Sequence, residues 1–402
     1  MSELPTLPNS ELLVGVLRDR LRQSPHQRIT FADYMNLVLY HPQSGYYSTG
    51  ISTIGNQGDF FTSSHLGADF GELLAQQLQQ IWEILGHPHP FQVLEMGAGM
   101  GECARDILHF LSINYPDLLQ SLQYLIIEAS PQLIRHQKER LADYLTQGIV
   151  VEWHSWESLP NCSVIGCCFS NELIDAFPVH QVTVQEGTLR EIYITLEEGK
   201  PRETIGELST PKLQEYFEFL QINLFDSTYP ENYRTEVNLA ALDWLKILSQ
   251  KLKQGYIITI DYGYSALQYY HPQRHNGTLQ CYYQHHRHNN PYVNLGHQDI
   301  TAHVNFTALE KQGELWGVKT LGFTQQALFL MALGLGERLA PLSGGTLGIL
   351  EVLKRRDALH QLMNPDGLGG FGVLVQGKGL TIEQEGIILR GLEIPHDPFG
   401  IG

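Results

Sequence analysis

From residue 91 the chain alternates short apolar runs with longer stretches whose apolar residues recur every three or four positions. FQVLEM, QYLIIEAS and GIVVEWHS read as strands. SVIGCCFSNELIDAFPV holds a fourth ending near Ser170, and YIITIDYGY at 256–264 a fifth. Between them GECARDILHFLSI, PQLIRHQKERLADYL and LAALDWLKILSQKL have helical spacing, the second opened by Ser130 as N-cap with Pro131 at the first helical position. LWGVKTLGF and FGVLVQGKG add two strand candidates, with helical stretches near 324–334 and 346–363. This rhythm predicts parallel βαβ units in a doubly wound, Rossmann-like α/β sheet. Upstream, residues 10–23 and 67–85 have helical periodicity. The stretch between them at 39–65 is irregular and rich in Gly, Ser, Asn and aromatics, as functional or mobile segments are. Residues 200–235 and 265–310 interrupt the order and read as insertions. The expected organisation is a helical extension and lid over 1–90, then a core over 91–402 carrying both insertions.

Composition narrows the function. The 402 residues include 26 Lys and Arg against 43 Asp and Glu, a net charge of −17. A phosphate-tracking nucleic-acid binder is not expected from this balance, because such affinity comes from basic side chains replacing counterions. The five cysteines form no CxxC pair, so neither a disulfide framework nor a zinc site is expected. ALFLMALGLG at 327–336 is half of what a bilayer span needs. The opening MSELPTLPNSELLVGVLRDRL, with Glu3, Glu11 and Asp19, reads as neither a signal nor a transit peptide. A cytoplasmic protein is expected.

The first βα turn carries the chemistry: Glu95-Met96-Gly97-Ala98-Gly99-Met100-Gly101. In such sheets ligands sit beyond the carboxyl ends of the strands. Glycines there admit φ > 0 and strip away the Cβ that would hold a ligand off the backbone, and the next helix offers unpaired N–H groups to an anion. A dinucleotide fingerprint would place its third glycine at 102, where this chain has Glu102. GxGxG with an acid two residues before it suits a smaller anion, an amino-acid carboxylate, with Glu95 placed for the ammonium. Glu128 and Ala129 end the second strand, where Glu128 can accept two ribose hydroxyls. A ligand carrying all three groups is S-adenosyl-L-methionine.

The chain also resembles a known family across most of its length. YMNLVLYHPQSGYYS (34–48), GDFFTSSHLGADFGELL (58–74), VLEMGAGMGECARDIL (93–108), LIIEASPQLIRHQKERL (125–141), SNELIDAFPVH (170–180), IDYGY (260–264), the segment at 277–306 and GFTQQALFL (322–330) are similar to the MidA family. These are class I methyltransferases that act as arginine-methylating complex I assembly factors. The resemblance implies a seven-stranded sheet with N-terminal and inserted helical additions. It implies symmetric dimethylarginine on a subunit of a complex I-type NADH dehydrogenase as product, with a homodimer as one assembly it could take.

Arginine sets a demand of its own. Its guanidinium, with a pKa of ~12 or above, has no free lone pair. A carboxylate must grip the planar fork and take a proton as the methyl arrives. SNELIDAFP after the fourth strand offers Asn171, Glu172 and Asp175, with Glu172 first and Asp175 second. Asp261 could serve that pocket or the structure. Gly58, Asp59 and Thr62 in GNQGDFFTSS are expected to fold over the cofactor, and Glu152 to lie near its adenine end. His285, His286 and His288 in a polar loop suit substrate recognition or a solvated surface better than a metal. The rival functions are a methyltransferase with a small-molecule acceptor, a non-catalytic assembly chaperone of the same fold, and a nicotinamide oxidoreductase, which Glu102 disfavours.

Overall fold

The computed structural model describes residues 8–48, 63–284, 286–338 and 349–393. The chain divides into two compact units. One is built from Phe61–Leu173, Leu245–Tyr262 and Gln312–Gly402, the other from Met1–Phe60, Ile174–Trp244 and Gly263–Lys311.

The first unit holds a seven-stranded sheet. Its strands are β1 (Phe91–Met96), β2 (Leu122–Ile127), β3 (Val150–His154), β4 (Val164–Asn171), β5 (Leu252–Asp261), β6 (Lys319–Gln325) and β7 (Gly372–Lys378). Their order is β6-β7-β5-β4-β1-β2-β3. Strands β1 to β5 pair in parallel, as the alternation of strand and helix requires. Only β7 departs from that pattern: it runs antiparallel to both its neighbours, β5 and β6, so that β6 points the same way as β1 to β5. Strand order reverses between β1 and β4, where Met96 lies beside Ser170. That reversal opens the crevice in which a doubly wound sheet takes its ligand.

Helices α1 (Asp69–Ile84), α2 (Glu102–Asn114) and α3 (Pro131–Arg140) follow the predicted spacing. Ser130 does cap α3, its hydroxyl accepting the Leu133 N–H, with Pro131 in the first turn. The strands bury apolar runs, including Phe91, Val93, Tyr124, Ile126, Phe169 and Ile258, against helix residues such as Phe70, Leu74, Leu78, Ile107 and Leu108. Each such side chain contributes about 1.5–3 kcal/mol by leaving water.

The second unit is less legible from periodicity. A five-stranded antiparallel sheet has His180–Gln185, Thr188–Glu197 and Lys200–Gly206 as consecutive hairpin strands. Their turns are Glu186-Gly187 and Glu198-Gly199, all four residues at positive φ. Two-residue turns of that hand match the twist of the flanking strands. Pro8–Gln23, Phe31–Tyr40 and Lys212–Leu220 are helices. A three-stranded sheet of Gln280–Tyr283, His286–His288 and Asp299–Thr301 completes the unit's larger elements. Among the described residues no helix is long and apolar enough to cross a membrane, and no cluster of His, Cys, Asp and Glu could hold a metal ion.

Candidate active site

The turn from β1 into α2 is built as its glycines require. Gly97, Gly99 and Gly101 have φ of 72°, 53° and 83°, the left-handed region that side chains disfavour. The Gly97 N–H donates to the Ile127 carbonyl at 3.2 Å, joining the ends of β1 and β2. A Cβ on Gly97 would stand 2.7 Å from Leu173 Cδ1, and one on Gly101 3.3 Å from Gln137 Cγ. A Cβ on Gly99 would meet nothing within 4 Å, so the loop is walled on two sides and open in the middle. Ala98, between them, is buried. A small anionic group fits such a cradle, lying on main-chain atoms at a helix N-terminus.

Two acids flank it. Glu95 is buried at 4% exposure and accepts the Tyr124 hydroxyl at 2.8 Å. Burial, opposed by that hydrogen bond and reinforced by the charges of Glu102 and Glu128, pushes its carboxyl up to about 7. It therefore carries a proton in half the molecules near neutrality, and a cation would displace that proton. Glu128 is half-buried; one oxygen accepts the Ser130 N–H at 2.9 Å and the other the Gln137 amide at 3.3 Å. Burial raises its carboxyl as well. Ala129 follows, exposed. Glu102 is paired with Arg140 and also faces His65 at 3.9 Å.

Gln137 was not singled out by sequence reasoning, yet it ties this region together. Fully buried on α3, its amide nitrogen donates to the Gly99 carbonyl at 2.8 Å and to Glu128. Its amide oxygen accepts the Trp153 indole N–H at 2.8 Å. A buried amide with every bond made fixes the loop, the acid and β3 relative to one another. The only signal in the sequence was a polar residue on the inner face of α3, and that does not reveal its partners.

At the end of β4, Glu172 takes φ of 51°, uncommon for a residue with a Cβ. Its N–H donates to the Ile260 carbonyl at 2.9 Å. Its Oε1 accepts the Ser63 N–H at 2.9 Å and the Asn171 amide at 3.1 Å. The Asn171 Oδ1 is buried with no hydrogen-bond partner among the described residues. Backbone strain at a strand end beside a crevice is where functional residues gather. Asp261, fully buried, accepts the Tyr262 N–H at 2.8 Å.

The predicted residues thus fall into groups. Glu95, Gly97, Ala98, Gly99, Gly101, Glu128 and Ala129 lie at the carboxyl ends of β1 and β2, and Asn171 and Glu172 at that of β4. Asp175 belongs to the other unit, in a short turn at Ile174–Ala176. Gly58, Asp59 and Thr62 lie outside the described residues, as does His285. Glu152 is exposed and accepts from the Gln123 amide, earlier in β2, at 2.8 Å.

Comparison with known proteins places this geometry. A crystal structure from Burkholderia thailandensis bound to S-adenosyl-homocysteine superposes with a TM-score of 0.84 at 30% identity over 97% of both chains. A mitochondrial protein arginine methyltransferase NDUFAF7 homolog of Drosophila melanogaster is 29% identical over 75% of this chain and 70% of its own. The mitochondrial NDUFAF7 of Xenopus laevis is 27% identical over 85% of this chain and 79% of its own. These names overturn the cytoplasmic expectation, since the relatives are mitochondrial. The acids at the start of the chain had pointed the other way, but an address is carried separately from the fold. Residues 73–324 match the family model described as "Putative S-adenosyl-L-methionine-dependent methyltransferase". With the glycine cradle, its flanking acids and the β1–β4 crevice in place, the chain belongs to that family of S-adenosyl-L-methionine-dependent methyltransferases.

Proposed function

We propose that this methyltransferase acts on arginine side chains of a protein, a subunit of a complex I-type NADH dehydrogenase, and yields symmetric dimethylarginine. The acceptor is supported by relatives named protein arginine methyltransferases. The observation that carries the reading is Glu172, held in a left-handed conformation at the end of β4 by Ser63, Asn171 and Ile260.

When bound, S-adenosyl-L-methionine supplies a methyl group on a cationic sulfonium. In this reading the main chain at Gly97, Ala98, Gly99 and Gly101 carries the amino-acid carboxylate, Glu95 takes the ammonium, and Glu128, beside Ala129, accepts the ribose hydroxyls. Gln137 keeps Glu128 and the Gly99 carbonyl in register for both. Glu172 grips the guanidinium, orients one nitrogen and accepts its proton, with Asn171 fixing the carboxylate. In-line transfer needs reacting atoms at about 3–3.5 Å, so holding the nucleophile accounts for much of the rate.

The test is incubation of the purified chain and cofactor with recombinant NADH dehydrogenase subunits, read by intact mass and fragmentation. Symmetric dimethylarginine on one subunit is expected. Methyl groups found only on lysine or on small molecules refute the assignment.

A further inference from the structure

In the second unit, the three-stranded sheet of Gln280–Tyr283, His286–His288 and Asp299–Thr301 has two dissimilar faces. Cys281 and Ile300 pair across the strands and join an apolar cluster with Leu13, Leu17 and Tyr34. By the two-residue period of a strand, Gln280, Tyr282, Asp299 and Thr301 share the opposite face, Asp299 opposite Tyr282 and Thr301 opposite Gln280. That face is polar yet covered: Asp299 is 5% exposed and Thr301 1%.

Two further groups meet it. Tyr47, half-buried, donates its hydroxyl to Asp299 Oδ1 at 2.8 Å, and the Ile300 N–H donates to the same oxygen at 2.9 Å. The turn carrying Asp175, 4% exposed, is bound to the end of the strand by the Ala302 N–H donating to the Asp175 carbonyl at 2.9 Å. Both carboxylates bear on the same two phenols: burial first, then Asp299 and Asp175 among nearby groups, raises Tyr47, and both acids help raise Tyr282. Tyr47 stacks on Tyr40 with ring centroids 5.4 Å apart at 24°. An independent observation points to a ligand: Thr301 Oγ1 is buried with no hydrogen-bond partner among the described residues. An orphaned hydroxyl beside buried acids costs free energy unless something binds there.

We propose that this face is a binding site for a guanidinium side chain, with Asp299 and Asp175 as its floor, Thr301 accepting an N–H and the Tyr47 and Tyr282 rings as walls. Carboxylates receive the planar fork, while aromatic faces favour a flat, weakly hydrated cation over a compact ammonium. The proposal rests on the arginine reading above, and the guanidinium bound here belongs to an arginine of the acceptor protein other than the one Glu172 grips. Arg287, exposed on the outer strand opposite Tyr282, sets a like charge at the rim.

Calorimetric titration of the full chain with propylguanidine, and with butylamine as control, tests it. The wild type binds propylguanidine at least tenfold more tightly than butylamine. Asp299→Asn and Asp175→Asn each weaken propylguanidine tenfold or more, Thr301→Val about threefold, and Arg287→Ala tightens it about twofold. Thermal melts report folding, and if the acid variants melt early, the smaller Thr301→Val change decides. No preference for propylguanidine over butylamine, or wild-type affinity in a folded Asp299→Asn or Thr301→Val, overturns the proposal. S-adenosylhomocysteine titrated into the same samples is an independent readout: a wild type that ignores it removes the methyltransferase reading, whereas normal binding with no guanidine preference removes only this site.

Discussion

The Glu95→Gln substitution isolates the most heavily perturbed charge in the cradle. Burial lifts this carboxyl from an ordinary 4.5 to about 7. That displacement corresponds to about 3 kcal/mol of preference for the protonated form. Between those two values the folded chain holds a proton that the unfolded chain has lost, so stability falls as pH rises. The stability present below 4.5 is gone once pH passes about 7. Glutamine cannot ionise, and its carbonyl can still accept the Tyr124 hydroxyl. Glu95→Gln should therefore be more stable than the wild type by up to about 3 kcal/mol at pH 8, with the difference fading toward pH 4.5. Urea unfolding of both proteins from pH 4.5 to 8.5, without cofactor, measures it; parallel stability curves refute the reasoning. Ligand binding should run in the opposite direction. The ammonium of S-adenosylhomocysteine favours the ionised acid, so wild-type affinity should climb from pH 5 toward 7 with release of a proton, seen as buffer-dependent binding heat. Glu95→Gln should lose both the affinity and the proton.

Other outcomes follow from neighbouring residues. Gly99→Val places a branched side chain at φ of 53°, where the native loop is open; S-adenosylhomocysteine binding should vanish by calorimetry, with a stability loss of about 1–3 kcal/mol. Gln137→Leu removes the partner of the Gly99 carbonyl, Glu128 and the Trp153 indole. It should lower stability by about 2–4 kcal/mol in urea melts and weaken S-adenosylhomocysteine about tenfold, and an unchanged melt would contradict the bracing role. Glu172→Gln keeps an acceptor for Ser63 but loses the base. Its turnover by product mass should fall about 100-fold or more, with cofactor affinity held. Equal turnover would move the proton to another acceptor.

Much of the sheet was readable because its signals are local. An apolar run such as FQVLEM can bury itself as a parallel strand, and Ser130-Pro131 starts a helix wherever it occurs. The glycine spacing and Glu95 were readable for the same reason: φ > 0 and a missing Cβ are properties of single residues. The hairpins at 180–206 left a weaker mark. Glu186-Gly187 and Glu198-Gly199 sit between alternating runs at the spacing of two-residue turns. Beside the βαβ rhythm that pattern is the weaker signal. The reversed direction of β7 had no local signal, because strand direction is set by how the connection packs rather than by residue preference.

The amino-acid sequence alone determined the parallel core, the glycine cradle and the acids beside it, since these follow from periodicity and from what single residues permit. Tertiary structure decided what depends on distant segments meeting. It joined Gln137 to Gly99, Glu128 and Trp153, strained Glu172 against Ser63 and Ile260, and brought Tyr47 to Asp299 across 252 residues. Such contacts arise from long-range closure, whose free energy depends on the whole packed unit, so no window of the chain contains them.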